Sequence, residues 1–285
     1  MSRRRTVLLV LEIVTALTFI AYFSPFYILL VNAFKSRFEV LTRVLQLPSN
    51  WGQVMENLKA VTENPNLQFW SAALSSVIIT ALSLVLIVLF SSMAAWVLVR
   101  SKSKASGWIF MLYVAAMVIP FQVVMLPLVA WMHMIELKLG VPLLRTYHGM
   151  VFAYIGFGSS LSIFLYHGFI KGIPYELEQA AVIDGATRPQ VFFRIIFPIL
   201  RPITVTVLVL NGIWIWNDYL LPLLMLGIGN PIRTIPLAVA GFVGSFVKQW
   251  ELIMLALVLA IIPVVIFYLF AQKHIIKGMV EGSIK

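Results

Sequence analysis

Six long apolar runs constrain the fold of this chain more than any other feature of its sequence. They lie at roughly residues 6–33, 71–99, 108–131, 149–170, 204–224 and 252–271. A hydrocarbon core about 30 Å thick needs about 20 apolar residues per helix, and only helices or closed barrels satisfy their backbone polar groups in lipid. The runs have helical length and no strict alternation. With 61% hydrophobic and 11% charged residues, we expect an all-α membrane protein with six transmembrane helices in a single domain, residues 1–285.

The positive charges predict how the chain is oriented in the membrane. More of its 21 lysines and arginines lie in loops on the side of the two termini than on the opposite side. Because such residues are enriched in cytoplasmic loops, both termini are expected in the cytoplasm. Orientation and lipid headgroups then explain the net charge of +10, and no nucleic acid partner is expected. The first run is too long for a signal peptide and is interpreted as an uncleaved anchor.

A polar segment, residues 172–202, separates the fourth and fifth apolar runs. A short helix is expected before Gly185, because this glycine suits the left-handed conformation in which many helices end. Thr187 and Gln190 fit a capping box, which predicts that a second helix starts there. This second helix should end near Pro198. The segment is therefore predicted to be a helical hairpin.

The residues of this hairpin resemble the EAA loop of ATP-binding-cassette (ABC) importer permeases. The family pattern is Glu-Ala-Ala, three residues, glycine, nine residues and Ile-x-Leu-Pro. This chain matches it at Ala180, Ala181, Gly185, Ile195 and Pro198. Gln179 stands in place of the glutamate and Phe197 in place of the leucine. Glu178 keeps a carboxylate nearby, but about 100° around the helix, so the sequence leaves open which side chain faces the ATPase.

The resemblance implies that this hairpin couples the chain to an ATPase. The coupling residues that it assigns are Glu178, Gln179, Ala180, Ala181, Asp184, Gly185, Ile195 and Pro198. The longer sequence around these positions, ELEQAAVIDGAT followed by IIFPILRPI, is similar to that of maltose-type second permeases of the carbohydrate-uptake type-1 branch. The resemblance therefore implies the import of sugars or oligosaccharides.

The same resemblance implies a non-enzymatic subunit of a larger assembly. The sequence has no Gly-x-x-x-x-Gly-Lys-Ser/Thr phosphate loop, so ATP and Mg²⁺ are expected on a partner ATPase and no cofactor on this chain. The implied partners are a second homologous permease, two ATPase subunits and an extracytoplasmic sugar-binding protein, in a bacterial or archaeal plasma membrane. The absence of cysteine excludes disulfides and thiolate metal sites, and the four histidines have no ligand-like spacing. No metal site is expected.

Aromatic and polar residues within the runs mark a candidate substrate path. Pro120 and Pro127 should bend the third run. The end of the fifth run is similar to a Trp-Asn sequence motif of the family. The candidates are Gln122, Asn211, Trp214, Trp216, Asn217 and Asp218. Rings and amides suit a sugar path, because they stack on sugars and hydrogen-bond to them. An aromatic belt at the membrane interface with an internally satisfied asparagine explains the same residues equally well.

Two further segments resemble family features. The loop after the fifth run corresponds to one that reaches the extracytoplasmic binding protein in the family. This similarity is carried by Thr234, Ile235, Pro236 and Leu237. The tail from Gly278 to Lys285 is similar to the glycine-rich ending of maltose-type second permeases, which could lie against the ATPase pair; a tail without fixed structure is the alternative.

Three other functions are compatible with parts of the sequence. An ion-coupled transporter needs buried ionisable residues, but only Glu12 and Asp218 lie inside the apolar runs. A membrane enzyme needs clustered acids or histidines, and those of this chain are scattered. An ABC importer for another solute, such as a polyol or a glycerophosphate ester, is the closest alternative, because an EAA-like loop does not report cargo.

Overall fold

A computed structural model describes residues 3–101, 103–245 and 249–283. In these ranges the chain is helical and contains no β-strand. The first seven helices are α1 (Arg3–Ala33), α2 (Arg37–Thr42), α3 (Gln53–Thr62), α4 (Phe69–Arg100), α5 (Lys104–Val118), α6 (Phe121–Leu139) and α7 (Tyr147–Lys171). The remaining seven are α8 (Glu176–Ile183), α9 (Arg188–Val191), α10 (Phe197–Ile199), α11 (Arg201–Asn217), α12 (Leu220–Leu226), α13 (Ile235–Ser245) and α14 (Trp250–Ser283), with a π-helical turn (Phe192–Ile196) between α9 and α10.

The long helices confirm the prediction of an all-α membrane protein. In the part of the chain that is described, five helices are long and apolar enough to cross a membrane. A sixth crossing is present if the bent pair Arg188–Ile199 and Arg201–Asn217 forms one span. Helices α1, α4, α7 and α14 coincide with the first, second, fourth and sixth predicted runs. The third and fifth runs are each divided between two helices.

The third run is divided into two helices, α5 and α6, at the first of the two prolines expected to bend it. Helix α5 ends at Val118, and α6 starts after Pro120, which adopts an extended conformation. Proline lacks an N–H and forces the preceding residue out of the helical region, and Ile119 is accordingly extended. Helix α6 keeps Pro127 within it and continues to Leu139.

The fifth run is also divided, between α11 and α12. Helix α11 ends at Asn217, and Asp218 has an extended backbone. The Asp218 Oδ1 atom accepts from the Leu220 N–H at 3.0 Å and from the Leu221 N–H at 3.4 Å. A carboxylate that satisfies backbone donors in this way starts a new helix, which is why the chain turns into α12 here.

The described contacts divide the chain into two compact units. One unit is Met1–Trp70 with Ala238–Ile262, and the other is Ser71–Leu237 with Pro263–Lys285. The first unit contains a buried lysine between α1 and α2. The Lys35 ammonium donates to Asn32 Oδ1 at 3.1 Å and to the carbonyls of Arg43 and Val44 at 2.7 and 3.1 Å. Burial lowers the pKa of Lys35.

The second unit is built around α7, whose small residues allow close packing. Half of its most apolar window is buried, the largest share among the five long helices. A Cβ atom at Gly158 would lie 2.6 Å from Ile87 Cδ1 and 2.7 Å from Asn211 Oδ1, so α7 approaches α4 and α11 closely here. The Asn211 amide donates to Ser162 Oγ at 3.0 Å and to the Val207 carbonyl at 2.9 Å. These contacts hold α7 and α11 together.

Candidate functional site

Residues 172–202 form the predicted helical hairpin, which we call the EAA-like hairpin. Its first helix, α8, ends at Ile183, and Gly185 has φ +86°, as the sequence predicted. The Gly185 N–H donates to the Val182 carbonyl at 3.0 Å and the Ala186 N–H to the Ala181 carbonyl at 2.9 Å. This pair of bonds is the Schellman motif, which requires a left-handed residue and fixes where the chain leaves the helix.

The second half of the hairpin starts at the predicted capping pair. The Gln190 side-chain oxygen accepts from the Thr187 N–H at 2.7 Å and from the Thr187 hydroxyl at 3.0 Å. The chain then runs through α9, the π-helical turn and α10 to Ile199. There it bends by 75° into α11, and Leu200 alone separates the two helical segments. The hairpin is therefore joined directly to an apolar helix.

The side chains of α8 point in two directions. Two of them, Glu178 and Ala181, are buried, and Glu178 is only 5% exposed. Its carboxylate accepts from Arg100 Nε at 2.6 Å and from Trp96 Nε1 at 3.0 Å, both on α4. Gln179, about 100° around the helix, is exposed. Glu178 therefore faces its own chain, and Gln179 faces outward.

The exposed surface of the hairpin is partly apolar. Ile183 is 85% exposed, and Leu177 and Val182 are also exposed. Of the other residues assigned from the family pattern, the exposed ones are Ala180, Asp184, Gly185 and Pro198, while Ile195 is half-buried. Apolar side chains beside polar ones, outside the long apolar helices, are typical of a surface that binds another protein.

A cavity of about 910 Å³ lies among α5, α6, α7 and α11. Of the predicted path residues, Asn211 and Trp214 line it, whereas Trp216 lines a separate apolar cavity of about 240 Å³. Gln122, Asn217 and Asp218 line neither. The structure therefore brings together two of the six predicted residues.

Aromatic rings form much of the wall of the larger cavity. Rings that line it are Phe121, Trp131, Phe152, Phe157 and Trp214. Trp214 packs edge to face on Phe157 with 6.5 Å between ring centroids, and Phe157 packs on Phe121 at 4.8 Å. Edge-to-face contacts of this kind fix ring orientation. The cavity thus has preset, flat aromatic surfaces.

Asp218 and Asn217 have structural contacts outside this cavity. The Tyr154 hydroxyl donates to Asp218 Oδ2 at 3.0 Å, and the other carboxylate oxygen caps α12. The Asn217 amide donates to the Ile213 carbonyl at 2.8 Å. Asp218 therefore links α7 to the start of α12, a contact that the sequence did not indicate because its partner lies 64 residues away.

The four residues expected to reach a binding protein lie mostly inside the molecule. Thr234, Ile235 and Leu237 are each at most 4% exposed, and Pro236 is half-buried. The Ile235 N–H donates to Ser76 Oγ at 2.8 Å. Apolar side chains next to a helix start pack inward to leave water, so the surface of this segment is carried by other residues, among them Ile228 at 80% exposed.

Residues 284 and 285 of the glycine-rich tail lie outside the described residues, and α14 extends to Ser283. Among the described residues, no three His, Cys, Asp or Glu side chains are grouped closely enough to hold a metal ion.

Comparisons with known proteins agree with this arrangement. The family described as binding-protein-dependent transport system inner membrane component matches residues 87–281. A probable starch degradation products transport system permease protein of Thermoanaerobacterium thermosulfurigenes is 45% identical over 265 residues, which cover 93% of this chain and 92% of that protein. The melibiose/raffinose/stachyose import permease protein of Bacillus subtilis (strain 168) is 31% identical over 97% of this chain and 96% of its own length.

A solved structure shows the same fold. A bacterial ABC transporter involved in the import of the acidic polysaccharide alginate contains a chain that matches with a TM-score of 0.81 at 20% sequence identity. The match covers 96% of this chain and 98% of that chain. Since a family match to more than half of the sequence and a 45% identical relative agree with the helical fold, the chain belongs to the binding-protein-dependent transport system inner membrane components, the membrane-spanning permeases of ABC importers.

Proposed function

We propose that this chain imports sugars or oligosaccharides as one permease of an ATP-driven, binding-protein-dependent transporter. The observation that carries the proposal is the EAA-like hairpin, whose exposed side presents Gln179 and Ile183. A capped hairpin joined at Leu200 to an apolar helix can transmit motion to that helix. The relatives named for starch degradation products and for melibiose, raffinose and stachyose support a sugar as cargo.

The proposed mechanism is alternating access driven from outside this chain. Two partner ATPases bind ATP and Mg²⁺, and their closure displaces the docked hairpin together with the helices attached to it. Moving a two-state equilibrium from 1:99 to 99:1 requires about 5.5 kcal/mol, so the hairpin must be stiff. The Schellman motif at Gly185 and the capping pair at Thr187 give it that stiffness. A second, homologous permease completes the path, and a binding protein delivers the solute.

The aromatic cavity suits the proposed cargo. Sugars present apolar faces bordered by hydroxyl groups, and aromatic rings bind such faces by stacking. Trp214 and Phe157 offer preset rings in the cavity, and the Asn211 amide lies beside them. The two amide donors of Asn211 are used within the bundle. A solute would therefore bind the rings and the Asn211 oxygen.

The orientation that this mechanism needs can be tested by cysteine labelling, since the natural chain has no cysteine. We expect Ile183→Cys in the hairpin to react with a membrane-impermeant maleimide only after the cells are permeabilised. Ile228→Cys, at an equally exposed site beyond α11 and α12, should react in intact cells and serves as the matched control. Labelling of Ile183→Cys in intact cells would place the hairpin outside the cell and exclude docking to an ATPase.

Cargo is tested by transport in proteoliposomes that contain the chain with its co-purified partner subunits and binding protein. We expect uptake of a labelled malto-oligosaccharide or raffinose that requires ATP and is insensitive to ionophores. Uptake of glycerol 3-phosphate or of a polyol, but of neither sugar, would contradict the cargo assignment. Uptake that collapses with an ion gradient would contradict the ATP-driven mechanism.

A further inference from the structure

The last turn of α4 holds the EAA-like hairpin through an arginine. Arg100 Nε pairs with Glu178 Oε1 at 2.6 Å, and Arg100 Nη2 donates to the Ile173 carbonyl at 3.1 Å. The guanidinium also lies 5.4 Å from the centre of the Tyr175 ring. Arginine presents several donors in a rigid plane, so this one side chain fixes α8 and the residues that lead into it.

A tryptophan one turn earlier on α4 holds both halves of the hairpin. Trp96 Nε1 donates to Glu178 Oε2 at 3.0 Å, so each carboxylate oxygen of Glu178 has its own donor. The Trp96 ring packs on Phe192, the first residue of the π-helical turn, with 5.4 Å between ring centroids. Residues four apart lie on the same helix face, which is why Trp96 and Arg100 act together.

These contacts attach α8 to α4 within the second unit. Helix α8 has eight residues, of which Glu178 and Ala181 are buried. A helix this short is not stable alone and depends on tertiary contacts. The side chains of Arg100 and Glu178 are 18% and 6% exposed, so water screens their attraction only weakly.

We propose that Trp96 and Arg100 are positioning residues that transmit displacement of the EAA-like hairpin to α4. The proposal rests on the proposed function and adds a second route for the motion. Along one route the motion passes through the backbone at Leu200 into α11. Along the other it passes from the Glu178 carboxylate to Trp96 and Arg100 and so into α4. The same contacts turn Glu178 inward and leave Gln179 as the outward-facing residue of the motif.

The decisive measurement is the amount of solute transported per ATP hydrolysed by the assembled transporter in proteoliposomes. Because removing one partner of a shielded ion pair leaves the other charge uncompensated, we expect Glu178→Ala to lower this ratio about tenfold while ATP hydrolysis continues. Glu178→Gln should have a smaller effect, since its amide oxygen accepts from one donor while its NH₂ group faces the other. Glu63→Ala, which removes an exposed carboxylate outside the hairpin, is the control and should keep the wild-type ratio.

A second readout is independent of transport. Spin labels at Val97→Cys on α4 and Val182→Cys on α8, both exposed positions, report the distance between the two helices. We expect a narrow distance distribution in the wild-type background and a broad one with Glu178→Ala. An unchanged distribution together with an unchanged ratio would overturn the positioning role.

The design separates failure of this proposal from failure of the proposed function. A wild-type complex without ATP-dependent uptake contradicts the proposed function, whereas normal uptake and coupling in Glu178→Ala contradicts only the positioning role. If Glu178→Ala does not assemble, Arg100→Lys replaces it, because lysine keeps the charge but loses the planar set of donors. Normal coupling in Arg100→Lys would overturn the proposal, and a several-fold loss with normal assembly would support it.

Discussion

Replacing Gly185 with valine is expected to lower ATP-dependent uptake at least about tenfold while the chain still reaches the membrane and binds its ATPase. Gly185 has φ +86°, a conformation that costs a residue with a Cβ about 1–2 kcal/mol and a β-branched residue more. Relief of that strain would break the Gly185–Val182 and Ala186–Ala181 hydrogen bonds. The two halves of the hairpin would then lose their fixed angle, and motion of the ATPase would not reach α11.

The control for this variant is Gly185→Asn. Nothing lies within 4 Å of a Cβ at this position, so neither side chain meets a steric barrier. Asparagine adopts positive φ at lower cost than other residues, and this variant should retain most of the uptake. Uptake by proteoliposomes and co-purification of the ATPase measure the two effects. Equal uptake by the valine and wild-type proteins would show that coupling does not need the left-handed turn.

Replacing Gly149 with alanine is expected to have the largest effect on stability. A Cβ atom there would lie 1.7 Å from the Leu143 carbonyl oxygen and 2.7 Å from the Leu143 carbonyl carbon. The clash is with backbone, which cannot move aside as a flexible side chain can. The same carbonyl accepts from the Thr146 hydroxyl that also caps α7. We expect the free energy of unfolding to fall by at least about 3 kcal/mol, the upper range for an overpacked core site.

Gly168→Ala in the same helix is the matched control for this variant. A Cβ at Gly168 meets nothing within 4 Å, and alanine favours helix over glycine by about 1 kcal/mol. The thermal midpoint of the detergent-purified protein should therefore fall sharply for the first variant and hold or rise for the second. Equal midpoints would show that α7 does not approach Leu143 as closely as described.

The local features of the fold were predictable, because short-range chemistry determines them. The length of the apolar runs predicted α1, α4, α7 and α14. Gly185 predicted the end of α8, since only a glycine accepts that backbone conformation freely. The capping pair of Thr187 and Gln190 is equally local, because donor and acceptor are only three positions apart in the sequence.

Features that depend on distant contacts were not predictable. Glu178 and Gln179 are neighbours, and their direction is set by Arg100, which lies 78 residues before Glu178. An arginine at the end of an apolar run was read only as a sign of orientation. Thr234 and Leu237 were assigned to a loop that reaches the binding protein because their sequence is similar to that of the family. Such a similarity carries no information on burial, and the structure buries both residues.

The separation of α5 from α6 was predictable only in part. Pro120 correctly predicted a bend in the third run, but a bend and a break look the same in sequence. Extended backbone at Ile119 makes it a break. The predicted end of this run was early because the polar residues that follow residue 131 remain helical, and Gly140, at φ +67°, ends α6 instead.

In the proposed mechanism α11 acts as a lever arm, because the chain bends by 75° at Leu200 where the hairpin joins it. Helix α11 has 17 residues and is about 25 Å long at 1.5 Å per residue. Each rotation of about 10° about Leu200 therefore carries its far tip sideways by about 4 Å. Leu200 is completely buried, so the packing around it holds the point of rotation in place. A small rotation at this end of α11 therefore gives a displacement of atomic size at the other end.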